Sequence, residues 1–495
     1  MAHVPNSAEQ YEKMIGTPIP QLVSSLAIPT TISMLVTVIY NTADTYFVSQ
    51  INKSASAAVG MVYTLMAILQ AVGYGLGMGA GSLISRKLGE KDDDAAERYA
   101  VSAFVAAILA GAVVGWGCLA GLKPILHALK CTDTMLPYAV PYARWILLVA
   151  PVSCASFVLN NTLRAEGEST LAMWGLGLGG VLNIVLDPLF IFTLDMGAGG
   201  AALATAVSQV VSFVLLLMFF LTGRSIVRLR LHSVSRHFCD YWLIFSTGIP
   251  TVCRQGLGSV ASAVLNMQAV LYGDAAVSAI TIANKLYVFV RNLVIGIGQG
   301  FQPVAGYNYS AGKRRRAWQA FWFSSLVGTV LCTVCAIVMA IFARPILWWF
   351  CSDAEVVRIG AETLRFSCIV LPLLAVSTFV NQLYQCLGYR TAATFLASCR
   401  QGIFFLPAVL LLPLWLHCAG VEMSQPVADL LTFVISMPFL AAFYRHHIRG
   451  HAEQTQQNKF GAKSPEFFSR DSSIAYIMPD GKPFPRRAAR GPFGR

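Results

Sequence analysis

Two aspartates stand inside long apolar stretches of this 495-residue chain, each with an asparagine about one helical turn before it. Asp44 follows Asn41, and Asp187 follows Asn183, so each pair would share one face of a helix. An aspartate at the centre of a bilayer costs about 2.5–3.5 kcal/mol on insertion scales, and such groups usually serve function. A carboxylate held away from water, near a second one, binds a proton more readily than one in solution. The two pairs therefore indicate a site that exchanges a proton or a small cation.

The composition indicates that membrane-spanning helices carry these carboxylates. Hydrophobic residues make up 56% of the chain and charged ones 12%, and the mean hydropathy is +0.61. Soluble domains average about 25% charged residues. Apolar stretches of about 18 residues or more suit helices that cross a hydrocarbon core of about 30 Å. We predict an all-α integral membrane protein with twelve transmembrane helices, at approximately residues 20–47, 56–84, 98–121, 137–161, 170–194, 199–222, 241–272, 276–308, 317–342, 360–386, 391–416 and 427–447.

The chain repeats itself, and the offset in the numbering between the two copies is constant. Ile28-Pro29-Thr30 returns as Ile249-Pro250-Thr251, and Gly75-x-Gly77-x-Gly79 returns as Gly296-x-Gly298-x-Gly300. Most matches are Pro and Gly, which set backbone geometry, so we expect the two halves to share one fold. Six spans in each half return the chain to its starting side, which makes the repeats parallel. This organisation is typical of a transporter whose substrate path lies where the halves meet.

Charge and polarity divide the chain into five parts. A segment at 1–19 precedes a first lobe at 20–222, and a polar linker at 223–240 leads to a second lobe at 241–447. A basic tail at 448–495 follows; it has no periodic apolar face, so we expect it to be disordered. Lys and Arg concentrate in the loops on the side of the termini, which places both termini in the cytoplasm. We expect the basic tail to lie near lipid headgroups rather than to bind nucleic acid.

Only the first half carries the two acids. In the second half, the positions equivalent to Asp44 and Asp187 are Leu265 and Ala408. An architectural role would be expected in both halves, so the asymmetry favours a functional one. The alternative is a carboxylate that caps a broken helix or pairs with an arginine. The second half has its own charges at or near membrane depth, and their roles stay open: Arg254, Lys285, Arg291, Arg365, Arg400 and Asp429, the last of which could neutralise one of the cations.

Enzyme chemistry finds no support in the sequence. The alternating glycines from Gly73 to Gly81 imitate a nucleotide-binding loop, but they lie inside the second span, where small residues favour close helix packing. No GxxxxGK[ST], HExxH or GxSxG motif occurs. The twelve cysteines lie mostly within spans, and no cluster of ligands has the spacing of a metal site. We therefore expect no catalytic residue, no cofactor and no bound metal, and neither an embedded enzyme nor a receptor.

At these residues the chain resembles the multidrug and toxic compound extrusion (MATE) family, in its bacterial branch. The resemblance extends over roughly residues 15–447 and is carried by Tyr40-Asn41-Thr42-Ala43-Asp44-Thr45, Leu163-Arg164-Ala165-Glu166-Gly167, Asn183-Ile184-Val185-Leu186-Asp187-Pro188 and Gln299-Gly300-Phe301-Gln302-Pro303 running to Gly306-Tyr307-Asn308-Tyr309. It implies two six-helix lobes around a V-shaped central cavity in a bacterial cytoplasmic membrane. It also implies export of bulky, often cationic, aromatic compounds driven by inward movement of H+ or Na+.

The resemblance implies roles for individual residues as well. The ion site of the family's first lobe falls on Asp44 and Asp187, with polar support from Asn183, Asn160, Tyr142 and Thr205. Asn41 joins this set on the residue pattern alone. Some members have a glutamate in the seventh span that takes part in sodium coupling. Here the residues after Pro250, from Thr251 to Gly258, include no acid, which argues against a sodium site in the second lobe.

We therefore predict a secondary active transporter that exports drug-like compounds in exchange for H+ by alternating access. Sodium coupling is one alternative, because oxygens of Asp44, Asp187, Asn160 and Asn183 could hold Na+. A lipid-linked oligosaccharide flippase of the same superfamily is another, because the second-half cations could meet a pyrophosphate. We expect a monomer whose partners are small-molecule substrates and membrane lipids. Aromatic residues that could line the substrate cavity, or equally fill helix interfaces or face lipid, are Tyr40, Phe157, Trp174, Tyr287, Phe289 and Phe366.

Overall fold

The computed structural model describes residues 7–129 and 131–449, apart from the side chains of Lys53 and Leu231. Every regular element in these residues is a helix, which confirms the predicted all-α class. Residues 1–6 of the predicted N-terminal segment and residues 450–495 of the predicted tail lie outside the described residues.

Each of the twelve predicted spans corresponds to a helix or to a pair or series of consecutive helices. In the first half these are span 1 (Ile19–Ser49), span 2 (Lys53–Gly89), span 3 (Asp93–Ala120), span 4 (Leu136–Leu148 with Ala150–Ala165), span 5 (Ser169–Thr193) and span 6 (Gly197–Leu221). In the second half they are span 7 (Phe238–Val270), span 8 (Asp274–Ser310), span 9 (Arg314–Ile341), span 10 (Ala354–Cys386), span 11 (Arg390–Leu416) and span 12 (Cys418–Arg449). Shorter helices are Ser7–Gly16, Leu122–Ala128, Leu231–Ser233 and Ala343–Phe350.

The most apolar stretch of span 7 is more polar than that of the other spans. Ten helices among the described residues are long and apolar enough to cross a membrane, and the two helices of span 4 together make an eleventh segment. Span 7 has 33 residues but is not one of these eleven, since it carries polar residues such as Arg254 and Gln255 along its length. Span 12 begins at Cys418, earlier than the predicted start at 427, and Pro426 lies inside its helix.

The repeated prolines do not bend both halves alike. Span 4 is broken at Val149, two residues before Pro151, and its two helices meet at 50°. Proline lacks an amide hydrogen, and its ring clashes with the carbonyl four residues earlier, so a break at this point is expected. The repeat partner, Pro372, lies inside the continuous helix of span 10. The two halves therefore share their order of helices but differ in the shape of this one.

The two halves touch through spans 1, 2, 7 and 8, and one close contact occurs twice. Span 1 packs along span 8, and span 2 packs along span 7. A Cβ atom added to Gly300 would lie 2.5 Å from the backbone of Ala27. At the equivalent position of the first half, a Cβ atom added to Gly79 would lie 3.0 Å from the backbone nitrogen of Gly248. This geometry confirms that the repeated glycines serve close helix packing.

The contacts between the halves concentrate at one end of the helix bundle, which we call the closed end. There Thr30 Oγ1 donates a hydrogen bond to the carbonyl of Gly296 at 2.7 Å, and Asn308 Nδ2 donates one to the carbonyl of Met14 at 3.1 Å. Gly89 also packs against the backbone of Tyr307. Farther along span 2, towards Gly60, residues of both halves face a shared cavity instead. The halves therefore meet at the closed end and separate beyond it.

Candidate functional site

Asp187 lies fully buried near the end of span 5, one helical turn after Asn183. Asn183 Nδ2 donates a hydrogen bond to Asp187 Oδ1 at 3.1 Å and lies 3.2 Å from Thr205 Oγ1 in span 6. The other carboxylate oxygen, Oδ2, is buried and has no hydrogen-bond partner among the described residues. Three of the predicted site residues therefore form one connected polar group between spans 5 and 6.

Asp44 is half-buried in span 1 and takes its partner from span 4. The hydroxyl of Tyr142 donates a hydrogen bond to Asp44 Oδ2 at 3.2 Å, and Tyr142 itself is 1% exposed. Tyr142 is within electrostatic range of both carboxylates, and the two carboxylates are within range of each other. The structure therefore brings Asp44 and Asp187 into one neighbourhood with Tyr142, the residue that the family resemblance places beside them.

Four of the predicted residues each present one buried oxygen that has no hydrogen-bond partner among the described residues. These oxygens are Oδ1 of Asp44, Oδ1 of Asn160, Oδ1 of Asn183 and Oδ2 of Asp187. Neither carboxylate forms an ion pair with any residue that the structure describes. An unpartnered buried acceptor is costly, so such atoms call for a proton, a water molecule or a cation. Within the described residues, the first half thus has four buried acceptor oxygens that receive no hydrogen bond.

The two predicted carboxamide–carboxylate pairs differ in their bonding. Asn41 Nδ2 donates its hydrogen bond to the backbone carbonyl of Thr37 at 2.8 Å rather than to Asp44. Asn183 stands four residues before its aspartate and reaches it, whereas Asn41 stands three residues before Asp44. Side chains of this type readily bond to the carbonyl four residues earlier in a helix, which is the competing interaction here. The hydrogen bond to Asp44 that the residue pattern predicts from Asn41 is instead donated by Tyr142.

A cavity of about 50 Å³, the first-half cavity, lies beside this polar group. Tyr40 and Phe157 of the predicted aromatic set line it, together with Asn183 and Thr205. Tyr74 packs on Phe157 with ring centroids 4.2 Å apart. Sequence reasoning missed further polar wall residues of this cavity, although polar side chains within apolar spans are a usable signal: Tyr74, Ser153, Ser208 and Gln209. Ser153 and Gln209 also hydrogen-bond to each other.

A larger cavity, the central cavity of about 500 Å³, lies between the halves. Spans 7, 8, 10, 11 and 12 supply most of its wall, and span 2 supplies Gly60, Tyr63, Thr64, Ala67 and Gln70. Tyr287 is the member of the predicted aromatic set that lines it. A substrate path where the halves meet is the arrangement that the repeat predicts.

The other three aromatic candidates lie outside the walls of both cavities. Trp174 is 58% exposed, on the side of span 5 opposite the buried positions Gly175, Gly179 and Asn183. Phe289 is 38% exposed, and Phe366 is half-buried. These three residues therefore line neither of the two cavities described, and their place in the substrate cavity stays a prediction. An aromatic side chain in a spanning helix suits lipid or a helix interface as well as a cavity, so residue type alone does not separate these positions.

Two positions that hold small residues in the first half hold a pair of opposite charges in the second half. Arg400 Nε lies 2.7 Å from Asp429 Oδ1, both side chains are largely buried, and the Tyr287 hydroxyl bonds to both residues. The equivalent positions of the first half are Gly179 and Ser208, which line the first-half cavity. At these equivalent positions the first half therefore has two small residues and the second half has an ion pair. Asp429 neutralises Arg400, which answers one question the sequence left open.

Comparison with known proteins agrees with this architecture. The MatE family model matches the chain twice, over residues 29–189 and 250–410, and the two matches start at equivalent positions of the internal repeat, Pro29 and Pro250. The chain is 27% identical over 440 residues to the multidrug export protein MepA of Staphylococcus aureus, covering 87% of this chain and 95% of that protein. It is 26% identical over 418 residues to MepA of Staphylococcus saprophyticus, covering 83% and 91%.

A solved structure of a multidrug resistance MATE family transporter of the MOP superfamily, in an outward-facing conformation, has the same fold. Its TM-score is 0.83 at 25% identity, over 88% of this chain and 97% of that one. The two family matches together cover more than half of the sequence and coincide with its internal repeat. The chain therefore belongs to the MatE family and is a bacterial MATE transporter built from two repeated halves.

Proposed function

We propose that this chain is a secondary active efflux transporter that exports drug-like compounds in exchange for H+ by alternating access. Its similarity to MepA multidrug export proteins supports the export of drugs. The observation that carries the proposal of proton coupling is the pair of buried, unpartnered carboxylate oxygens on Asp44 and Asp187. These acids have no counterpart in the second half, where Leu265 and Ala408 stand at the equivalent positions.

The direction of coupling follows from the charge distribution of the loops. Under the positive-inside rule the closed end faces the cytoplasm, and the central cavity faces the outside. Protons from outside would then reach the first half in this state. Protonation would remove the negative charge of a carboxylate and turn its unpartnered acceptor into a donor, which changes the bonding of Asn183 and Tyr142. A change that favours one conformation over the other is what couples ion movement to substrate movement.

Sodium is a second candidate for the coupling ion, and a specific observation favours it. The four unpartnered oxygens of Asp44, Asn160, Asn183 and Asp187 are of the carboxylate and carbonyl kind that hard cations prefer. Thr205 stands beside Asn183 and could add its hydroxyl oxygen. Na+ bound at this place would satisfy the same acceptors as a proton.

The two ions are separated by transport in everted membrane vesicles. Ethidium uptake would be measured with an imposed pH gradient in sodium-free buffer, and again with a sodium gradient and a protonophore. Proton coupling predicts ethidium uptake under the pH gradient alone. Adding the protonophore to that condition should abolish the uptake. Uptake that requires Na+ and survives the protonophore would replace H+ by Na+ in the proposal. A purified, folded protein that moves ethidium under neither gradient would contradict the proposed function.

A further inference from the structure

The central cavity carries positive charge on its wall. Arg254, Arg291 and Arg400 line it, from spans 7, 8 and 11, and none of its lining residues is an aspartate or a glutamate. Asp429 lies behind Arg400 and bonds to it at 2.7 Å, so it neutralises that one guanidinium. Asp429 also lies within electrostatic range of Arg291 but forms no ion pair with it, so no acid among the described residues pairs with Arg254 or Arg291 at this wall.

Among the described residues, these two arginines also lack hydrogen-bond partners for their side chains. Neither makes an ion pair with any residue that the structure describes, and Arg291 Nε is buried without a hydrogen-bond partner. Arg254 lies within electrostatic range of both Arg291 and Arg400, so the like charges repel one another. Both arginines are half-buried, and like charges held together with little water around them are unfavourable unless an opposite charge joins them. Their convergence on a cavity points to an anion that binds there.

The remaining wall suits the body of an amphiphilic compound. Tyr63, Tyr287 and Phe405 supply aromatic surface, and Asn266 and Asn284 supply amide groups. Arginine matches carboxylate and phosphate oxygens with a planar fork of N–H donors, and two such forks can hold one oxyanion. A cavity of about 500 Å³ is within the range of small-molecule sites. The wall thus has a cationic part that could hold an anionic group and an aromatic part that could pack against the rest of the compound.

We propose that Arg254 and Arg291 form a binding site for the oxyanion group of an amphiphilic aromatic compound, a carboxylate, sulfonate or phosphate, so that the second lobe takes organic anions and zwitterions. This site rests on the proposed export function and adds a substrate class of opposite charge to the cationic compounds. It lies apart from the first-half carboxylates, which belong to the other lobe. A soluble compound and a lipid headgroup share this oxyanion chemistry.

Two dyes with the same xanthene frame and opposite charge test the site. Fluorescein carries a carboxylate, and rhodamine 123 is a cation. Their binding to the purified full-length protein in detergent would be measured by fluorescence anisotropy for wild type, Arg254→Gln and Arg291→Gln. The control is Lys285→Gln, which removes an exposed cation from span 8 that lies outside the cavity wall.

The site predicts that each arginine variant binds fluorescein about tenfold more weakly or worse, since charged hydrogen bonds contribute on that scale. Rhodamine 123 is predicted to bind no less tightly, and Lys285→Gln to leave both affinities unchanged.

Several results would decide against the site. Fluorescein affinity that is equal in wild type and both arginine variants would overturn it, as would a wild type that binds rhodamine 123 but not fluorescein. Thermal unfolding of each variant shows whether it folds, and Arg291→Lys, which keeps the charge, should recover part of the fluorescein affinity. Displacement of fluorescein by short-chain phosphatidic acid but not by naphthoate would assign the oxyanion to a lipid headgroup, and the reverse pattern to a soluble compound.

The same variants separate this inference from the proposed function. Ethidium uptake into everted vesicles reports export of a cation, and it does not depend on the anionic dye. A wild type that moves ethidium but binds no fluorescein loses the anion site and keeps the proposed function. A wild type that binds fluorescein in an arginine-dependent way but moves no dye keeps the site and loses the proposed function.

Discussion

Asn160 and Asn381 occupy equivalent positions of the two halves and make the same hydrogen bond in each. Asn160 Nδ2 donates to the carbonyl of Ala172 at 2.7 Å, and Asn381 Nδ2 donates to the carbonyl of Ala393, also at 2.7 Å. The two alanines are equivalent in the repeat as well. A bond kept in both copies ties neighbouring spans together, so the amide nitrogen of Asn160 has a structural task. Its free Oδ1 is the part available to an ion.

This pair yields a matched prediction. Asn160→Ala and Asn381→Ala should each lower the free energy of unfolding by about 1–3 kcal/mol, because each leaves a buried carbonyl without its donor. Thermal unfolding in detergent measures this loss. Asn160→Ala should in addition reduce ion-driven ethidium transport more than Asn381→Ala does at equal amounts of folded protein. Equal transport in the two variants would assign Asn160 to structure alone.

The close contact between the halves predicts a strong effect of one added methyl group. In Gly300→Ala the Cβ atom would lie 2.5 Å from the backbone of Ala27, and no flexible side chain can move aside. The closed end should separate, which lowers stability by about 1–3 kcal/mol and reduces transport. Gly117→Ala in span 3 is the control, since nothing lies within 4 Å of its new Cβ atom. If Gly300→Ala were as stable and active as Gly117→Ala, spans 1 and 8 would not pack as closely as this contact requires.

Glu166, in the loop between spans 4 and 5, is fully buried and forms hydrogen bonds with the linker that joins the two halves. Its carboxylate oxygens accept hydrogen bonds from Ser225 Oγ at 2.7 and 2.9 Å and from the Ile226 amide at 2.9 Å. Burial raises the pKa of Glu166 from its ordinary value of 4.5 to about 8. The native state therefore binds more protons than the unfolded state between these two pH values, so the stability this group contributes at low pH is lost as the pH rises through about 8.

We expect Glu166→Gln to flatten this part of the pH dependence, because the amide does not titrate. Unfolding temperatures measured in detergent between pH 5 and pH 9 should fall less with rising pH in Glu166→Gln than in the wild type. Glu12→Gln, an exposed position in the N-terminal helix, should follow the wild-type curve. Parallel curves for wild type and Glu166→Gln would show that this carboxyl group does not titrate in the range.

The buried ion pair of Arg400 and Asp429 predicts strong coupling between two substitutions. Asp429→Ser alone leaves a buried arginine without its anion and should cost about 3–5 kcal/mol. The double variant Arg400→Gly/Asp429→Ser installs the first-half residues found at Gly179 and Ser208, and removes the uncompensated charge. It should therefore be more stable than Asp429→Ser, as measured by thermal unfolding. A double variant less stable than the single one would mean that the arginine is held by other contacts.

Most of the fold could be predicted from the sequence, because hydropathy and the Pro/Gly repeat are local signals. The helices fall where apolar stretches predict them, and Gly79 and Gly300 pack closely as small residues in spans should. The break before Pro151 could not be separated from the unbroken helix around Pro372. The same residue type permits either outcome, and the surrounding packing decides it.

The candidate site was predictable in its carboxylates and less so in its partners. Asn183 and Asp187 are four residues apart on one helix, so their bond follows from spacing. Tyr142 reaches Asp44 across 98 residues of chain, and the resemblance to a family, not a local pattern, placed it in the set. The pairing of Arg400 with Asp429 joins spans 11 and 12, and nothing in the sequence selects it among the other cations of the second half.

In the proposed mechanism the first-half carboxylates couple proton entry to export, and everted vesicles test this coupling most directly. Ethidium uptake driven by a pH gradient in sodium-free buffer would be measured for wild type, Asp44→Asn, Asp187→Asn and the exposed loop control Asp133→Asn. Coupling through these carboxylates predicts uptake in the wild type and the control, and its loss in both membrane aspartate variants at equal protein levels. Proton-driven uptake that remains unchanged in Asp44→Asn and Asp187→Asn would contradict it.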